Sequence, residues 1–373
     1  MLTGQNGILK RAEEAKEKSE LASIDEQRKL AQSEALMNTE TSTYKGVYLP
    51  EGFAPTKIEG EDSIDDGLVI TDGEGNEYVW VEVPKTEEVY PTAGINVINF
   101  TDEEYTKIEN DLHTYTKDYR NGTSYNDVYH EDDTVGWFSN ADYYETKKKM
   151  LKSLYENKGF WLSRYEIGTN KIRTSKDENM TEALSQANLY PYTYITRTQA
   201  KILAEKVKSG SYTSNLMYGV QWDLILKYIE MKKSTTQEKL KSNSSQIGNY
   251  YTSEFTLIRG KFANNSNLSN WFAYDSNEKK DLVLKCKKIK QNSIDNAILL
   301  TTGATDATKL QNIYDLAGNV WEWTLDYTTY VNRPCVSRGG AFNADGTISS
   351  AFSRTDSIIE AGNYAIGFRT VIY

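Results

Sequence analysis

Apolar and polar positions alternate most clearly near the C-terminal end of the chain. Residues 320–323 (VWEW) follow the two-residue period of a β-strand, which places both indoles on one face. The preceding residues 317–319 (AGN) indicate a turn, because Gly318 and Asn319 are of the types that turns prefer. Gly339 and Gly340 indicate a bulge or a close approach of the backbone. We therefore expect a β-rich core in this region, with Trp321 and Trp323 buried.

Residues 1–40 predict one long helix. They contain no proline, and the helix-favouring residues Glu, Lys, Gln and Arg recur along them. The four-three spacing of a helix places small and apolar residues on one face, namely Ile8, Ala12, Ala15, Ser19 and Ala22. Because this face is mostly alanine, it can bury little apolar surface. We expect an isolated helix that stands apart from the globular body.

Residues 41–373 predict a second unit in which helices and strands are mixed, so that the fold class is α+β. The runs 68–70 and 78–81 flank the glycine-rich stretch 72–76, which is the pattern of a β-hairpin. Helix-compatible stretches follow at residues 101–120, 141–157, 198–208 and 221–232.

Composition and charge narrow the classes of function. A chain of 373 residues can form one large domain with an accessory element, or two domains. Its net charge of −10 argues against non-specific binding of nucleic acid. Its 27 tyrosines, with many Asn and Ser, are typical of adaptable binding surfaces. No apolar run reaches the roughly 18 residues of a membrane span.

Three blocks near the C-terminus resemble, in their order, the signature of the formylglycine-generating enzyme/sulfatase-modifying-factor superfamily. They are residues 315–323 (DLAGNVWEW), 338–342 (RGGAF) and 367–369 (GFR). Weaker matches lie upstream, at residues 78–84, 160–167 and 219–223. The resemblance implies a C-type lectin-like domain of the formylglycine-generating-enzyme type, over residues 41–373.

The N-terminal segment resembles another group of proteins. Residues 2–18 (LTGQNGILKRAEEAKEK) are similar to the segment after the hydrophobic stem in type IV pilin-like proteins of Gram-positive bacteria. The resemblance implies that residues 1–40 are a stem remnant and that the chain starts just past the apolar part. It also implies an extracellular location, on the cell surface or in a pilus, with pilus subunits as partners of the helix.

The superfamily's catalytic residues are missing from the matching positions. Formylglycine formation needs two cysteines shortly after the Arg-Gly-Gly block, but residues 343–350 (NADGTISS) contain none and Cys335 precedes the block. Iron-dependent sulfoxide synthesis needs a histidine cluster, and the chain has only His113 and His130. We therefore expect no catalytic residue, no enzyme activity and no required cofactor. A disulfide between Cys286 and Cys335 remains open.

Calcium is the one cofactor that the resemblance leaves open. The family's calcium ligands correspond to Ala317, Gly318, Val320 and Glu322, through backbone carbonyls and one carboxylate. The alternative is that Glu322 caps a turn or pairs with an arginine. Arginines recur at three family positions, where we expect bidentate pairs within the scaffold: Arg338, Arg354 and Arg369.

The C-terminal excursion, residues 337–369, resembles the diversified part of the variable proteins of diversity-generating retroelements. There, exposed residues before the final Gly-Phe-Arg strand change the ligand. The resemblance implies a contiguous exposed patch, whose candidate members are Ala341, Phe342, Asp345, Thr347, Ile348, Ser350, Phe352, Asp356, Ile358, Ile359, Asn363 and Tyr364. Dispersed apolar side chains rimmed by Asp and Asn suit a protein or glycan ligand.

The leading hypothesis is a non-enzymatic, surface-displayed protein for adhesion or ligand binding, a variable protein on a pilin-like stem. Its ligand would lie on another cell, or on a phage or host surface. Two alternatives remain. One is an enzyme of the same superfamily with unrecognised chemistry, and the other is a structural minor pilin without a dedicated ligand.

Overall fold

The computed structural model describes residues 2–120, 125–126, 139–273, 294, 297–328, 330 and 332–373. In these ranges the α-helices are α1 (Leu2–Met37), α2 (Asp102–Tyr115), α3 (Asn140–Asn157), α4 (Arg197–Ala204), α5 (Gly219–Met231) and α6 (Gln237–Lys241). The helices predicted from the sequence thus form within a few residues of their expected bounds.

The strands of the first half are short and mostly buried. They are β1 (Ser42–Tyr44), β2 (Val47–Leu49), β3 (Phe53–Pro55), β4 (Val69–Asp72), β5 (Glu77–Glu82), β6 (Tyr125–Asn126), β7 (Gly159–Ser163), β8 (Gly168–Thr169) and β9 (Tyr190–Pro191). The predicted hairpin is formed by β4 and β5, which pair antiparallel around the turn at residues 72–76.

The strands of the second half include the C-terminal blocks. They are β10 (Ser214–Asn215), β11 (Lys261–Asn264), β12 (Asn267–Ala273), β13 (Ile298–Leu300), β14 (Trp321–Thr328), β15 (Cys335–Arg338), β16 (Arg354–Ser357), β17 (Ile366–Phe368) and β18 (Val371–Ile372).

Two sheets organise the globular part. The larger has the order β10-β18-β7-β5-β4-β3, so the last strand of the chain lies between strands from its middle. The second has the order β16-β15-β14-β17, with β6 paired to the far end of β14. In it, β14 and β17 run parallel and Trp323 pairs with Phe368. The second sheet therefore brings the three C-terminal blocks together.

Of the two tryptophans that were predicted to be buried, one is buried in the core. Trp323 is fully buried, and its Nε1 donates to the carbonyl of Ile195 at 2.9 Å. Trp321 is only half-buried, because it is the first residue of β14 and lies at the end of the strand. The prediction that both indoles are buried is therefore wrong for Trp321.

The last turns of helix α1 pack on the globular part of the chain, within residues 41–373, which we call the head. Ala31 and Ala35 are buried, and α1 lies against β3 and β4. Four members of the face predicted from the small residues have described side chains, and all four are exposed, namely Ala12, Ala15, Ser19 and Ala22. The expectation of an isolated helix thus describes its N-terminal part and must be corrected for its C-terminal part. None of the described helices is both long enough and apolar enough to cross a membrane.

Four charged side chains fix α1 to the head. Arg28 of α1 donates to Glu61 at 2.7 Å and also binds Glu77. Arg164 of the head donates to the same two carboxylates, at 2.7 Å to Glu61 and 2.9 Å to Glu77. Because each buried ion has partners of opposite charge, separating the helix would leave two carboxylates with one arginine.

Candidate functional site

The turn before β14 is held by a buried carboxylate. Glu166 accepts from the Asn319 side chain at 2.6 Å and from the backbone N–H of Val320 at 3.1 Å. Gly318 has φ +75°, and a Cβ there would lie 2.1 Å from the carbonyl oxygen of Asn249. Glycine at this position is therefore a steric requirement, and the turn predicted from the sequence is a rigid part of the scaffold.

Arg369 joins three segments beside this turn. Its Nε donates to Glu322 at 2.7 Å, and its Nη1 donates to the carbonyl of Ser163 at 3.2 Å. Its Nη2 donates to the carbonyl of Tyr314. The predicted scaffold role of Arg369 is confirmed, because the guanidinium links β14 to two other segments of the head.

The carboxylates around Arg369 outnumber the positive charge. Burial raises the pKa of Glu322 to about 7, although Arg369 lowers it and Asp315 raises it. Burial also raises the pKa of Glu166 well above its ordinary value, and the carboxylates of Asp315 and Glu322 raise it further. This cluster of buried carboxyl groups is therefore expected to hold a proton near neutral pH.

Two of the four predicted calcium ligands have other partners in this structure. The carbonyl of Ala317 accepts from the backbone N–H of Asn249 at 3.1 Å, and one oxygen of Glu322 accepts from Arg369. The other oxygen, Oε2, is buried and has no hydrogen-bond partner among the described residues. The alternative in which Glu322 pairs with an arginine thus describes the geometry. A calcium site at Ala317, Gly318, Val320 and Glu322 remains a prediction.

A second buried ion cluster fixes the start of the C-terminal excursion. Asp223 of α5 accepts from Arg338 and from Arg354, both at 2.8 Å. Arg338 also contacts Asp326 at 3.3 Å. Burial and the neighbouring Arg354 lower the pKa of Arg338. The predicted scaffold role of both arginines is confirmed, since they tie β15 and β16 to a helix. The predicted bidentate geometry is wrong for Arg338, whose two Nη atoms bond different carboxylates, and for Arg369, which bonds Glu322 through Nε alone.

Three of the predicted patch residues are buried, so their assignment to an exposed patch is wrong. Ala341, Phe342 and Ser350 are at most 1% exposed. The backbone N–H of Phe342 donates to the carbonyl of Asn319 at 2.9 Å, and its ring packs in a cluster with Val320. The Ser350 hydroxyl donates to a backbone carbonyl in α6 at 2.8 Å. These residues anchor the excursion, because residues from distant parts of the sequence pack on them or accept their hydrogen bonds.

The next group of patch residues is half-buried. Its members are Asp345, Phe352, Asp356, Ile359 and Tyr364. Asp345 accepts from the backbone N–H of Thr347, and Asp356 pairs with Arg333 at 2.6 Å. Phe352 packs on the main core. Each can present part of its surface, although it also supports the loop.

The remaining candidates are exposed. They are Thr347, Ile348, Ile358 and Asn363. Ile348 is 79% exposed and Ile358 49%. We call these four residues the exposed set. Ile348 precedes β16 and Ile358 follows it, so the excursion presents large aliphatic side chains to solvent at both ends of this strand.

A comparison with models of known protein families shows to which family the chain belongs. The family model described as "Sulfatase-modifying factor enzyme 1-like domain" matches residues 143–373, which is more than half of the chain. The chain belongs to this family. The superfamily predicted from the three blocks is thereby confirmed, and the fold is an α+β, C-type lectin-like one preceded by an N-terminal helix.

Two solved structures are similar to this sulfatase-modifying-factor-like chain. For "Crystal Structure of CarF" the sequence identity is 12% and the TM-score is 0.31, and the match covers 66% of this chain and 95% of that chain. For "Treponema denticola variable protein 1" the sequence identity is 10% and the TM-score is 0.29, and the match covers 57% of this chain and 95% of that chain. No curated protein matches the chain.

The residues relevant to the family's chemistry lie on separate elements. Cys335 is buried on β15 without a disulfide partner among the described residues, and burial raises the pKa of its thiol. His113 lies on α2. Cys286 and His130, and hence the open disulfide, lie outside the described residues. Across the part of the chain that the structure describes, no three His, Cys, Asp or Glu side chains are grouped to hold a metal ion.

Sequence reasoning missed a shallow cavity beside the excursion. Its volume is about 220 Å³, and it is lined by Lys176, Asp177, Thr196, Thr198, Gln199, Ile359 and Glu360. Lys176 donates to the carbonyl of Glu360 at 2.9 Å. No local pattern indicates this contact, because its two sides are far apart in the sequence.

Proposed function

We propose that the chain is a non-enzymatic ligand-binding protein whose contact surface is formed by the exposed set and by its half-buried neighbours. The observation that supports this most is the exposure of Ile348 and Ile358 on a loop whose anchors are buried. Burying a complete isoleucine side chain on a partner is worth roughly 1.5–3 kcal/mol. Two such side chains supply the apolar centre of a recognition surface.

The excursion contains both buried residues that hold the fold and exposed residues that can contact a ligand, which favours a role in recognition. Phe342 and Ala351 are buried in the scaffold, whereas the exposed set contributes little to packing. Exposed residues can therefore change without loss of the fold, as a loop that adapts to ligands requires. This agrees with a variable protein of a diversity-generating retroelement. A reverse-transcriptase gene and an adenine-biased near-copy of the 3′ end in the neighbouring DNA would support that origin.

We place this binding head outside the cell, on the surface or in a pilus, with α1 as its stem. The N-terminal half of α1 carries exposed positions such as Ala12 and Ser19, which leaves that part of the helix accessible to pilus subunits. The ligand is a protein or glycan on another cell, or on a phage or host surface. In this arrangement the head recognises the ligand and the stem connects the head to the cell, so that the chain serves adhesion.

A cell-binding assay tests the proposal. Labelled protein is measured by flow cytometry on panels of bacterial and host cells, beside the variant T347A/I348S/I358S/N363A. We expect the variant to keep its melting temperature and to lose binding. The matched control is I98S/M231S, which removes two exposed apolar side chains elsewhere and should bind normally.

Two results would contradict the proposal. One is cell binding that survives the quadruple substitution unchanged. The other is turnover of a cysteine-containing peptide by copper- or iron-loaded protein, which would favour the alternative of an enzyme with unrecognised chemistry. Absence of cell binding by both wild type and control would favour the structural minor pilin.

A further inference from the structure

A second cavity lies at the junction between α1 and the head, away from the C-terminal excursion. Its volume is about 650 Å³, within the range of ligand sites. It is bordered by five stretches of chain, within residues 35–39, 51–52, 72–78, 180–184 and 203–210. None of its lining residues belongs to residues 337–369, so it is separate from the surface proposed above. We call this cavity the junction cleft.

Exposed apolar side chains lie in the wall of the junction cleft. Leu36 of α1 is 72% exposed, and Met180 is 39% exposed. Leu36 packs against the β4–β5 turn, since a Cβ on Gly73 would lie 2.4 Å from its Cδ2. Leu36 thus lies close against this turn although most of its surface faces solvent. A ligand that covers both side chains would remove apolar area from water without reorganising the wall.

Charges of both signs surround these apolar groups. Lys206 and Lys208 follow α4, whereas Glu74 and Glu182 come from the β4–β5 turn and the 180–184 stretch. None of the four side chains has a hydrogen-bond or ion-pair partner among the described residues. The charged groups are therefore available to a ligand. Since Glu51 and Asp72 bring the carboxylates of the lining to four, against two lysines, a phosphate or another simple anion is disfavoured.

We propose that the junction cleft binds an extended peptide segment of a partner protein, with an apolar side chain flanked by one acidic and one basic residue. The apolar side chain packs on Leu36 and Met180. The acidic residue pairs with Lys206 or Lys208, and the basic residue pairs with Glu74 or Glu182. An extended peptide presents all three groups within a few residues, whereas a simple anion or an alkyl chain satisfies only one part of the cleft.

The cleft exists only while α1 is docked, because Leu36 and its neighbours form one of its walls. Docking depends on Arg28, which lies about two turns earlier in the helix and does not line the cleft. Peptide binding and helix docking are therefore coupled, and each stabilises the other. A substitution at Arg28 should weaken peptide binding without altering any group that the peptide contacts.

The test is a selection followed by measured affinities. A library of random seven-residue peptides is selected on the immobilised full chain, and the enriched peptides are synthesised and titrated by calorimetry. We expect peptides with the stated pattern, and a loss of affinity of about tenfold or more in K206E/K208E. The matched control K117E/K233E makes the same charge change at two exposed lysines outside the cleft, and should stay within roughly twofold of wild type.

Two further variants separate the parts of the proposal. L36S/M180S removes the apolar wall and should weaken binding of the same peptides. R28A should weaken it several-fold, while circular dichroism shows a folded head. The proposal is overturned if no selected peptide loses affinity in K206E/K208E or in L36S/M180S. Equal binding by R28A and wild type would overturn the coupling to helix docking.

Discussion

Arg369 donates through Nε to Oε1 of Glu322 at 2.7 Å, at a place where neither side chain reaches solvent. This pair connects the first C-terminal block of the family signature to the last one, across the parallel pairing of β14 and β17. Breaking such a pair by removing one partner leaves an uncompensated buried charge. The stability of the head should therefore depend strongly on it.

Arg369→Ala should lower the free energy of unfolding by roughly 3–5 kcal/mol, because Glu322 and the carbonyls of Ser163 and Tyr314 then lose their buried donor. Urea denaturation followed by tryptophan fluorescence measures the change. The control is Arg333→Ala, which removes an exposed arginine from its pair with Asp356. An exposed pair contributes at most about 1 kcal/mol. Similar losses in both variants would contradict the assignment of Arg369 to the scaffold.

Stability should also fall as pH rises towards neutrality. Burial raises the pKa of Glu322 to about 7, so the folded protein holds a proton that the unfolded chain releases near the ordinary value of 4.5. Where the folded state binds more protons, the free energy of unfolding falls with increasing pH, by up to about 1.4 kcal/mol per pH unit for one proton. The expected window lies between these two values.

Glu322→Gln removes this titration and should flatten the slope between pH 5 and 7 relative to wild type. Urea midpoints in a calcium-free buffer provide the measurement. Repeating them with added calcium tests the predicted ion site, since bound calcium would favour the ionised form and would raise wild-type stability near neutral pH. Parallel slopes for wild type and variant would show that the proton is not held at Glu322.

How much the sequence predicts differs from one element to another. The turn at residues 317–319 and the burial of Trp323 follow from local residue types and period, and both form as expected. The face of α1 that docks on the head cannot be predicted from local sequence. Arg28 lies on this face, and the partners of Arg28, Glu61 and Glu77, come from elsewhere in the chain. A pattern of small residues alone pointed to the wrong face.

Truncations of α1 distinguish its two halves. Removal of residues 2–22 should leave the melting temperature nearly unchanged, since the positions expected to pack there, such as Ala12 and Ala22, are exposed. Removal of residues 2–37 should lower it, because Ala31 and Ala35 are buried against the sheet and Arg28 holds two carboxylates. Differential scanning calorimetry gives both values. Equal melting temperatures for the two truncations would mean that the docked turns add no stability.

The site shows the same limit of local patterns. Phe342 ends the family block at residues 338–342, and Ile358 lies beside Ile359 in a polar stretch, yet the sequence pattern predicted exposure for both. The structure separates them, because Phe342 is covered by a cluster that includes Val320 and Leu299, whereas Ile358 follows β16 and faces solvent. Burial of the first depends on strands that pair across a long sequence separation, which a local pattern does not contain.

Single substitutions at these two positions should therefore have opposite profiles. Phe342→Ala should lower the free energy of unfolding by roughly 3–5 kcal/mol, because it opens a cavity in a packed cluster. Ile358→Ser should change it by no more than about 0.5 kcal/mol, because the side chain is already half in solvent. Urea denaturation measures both, and cell binding is assayed on the same samples. Ile358→Ser should weaken binding while folding stays intact. If Ile358→Ser destabilised the protein as much as Phe342→Ala, Ile358 would belong to the core, and the proposed contact surface would lose one of its two central side chains.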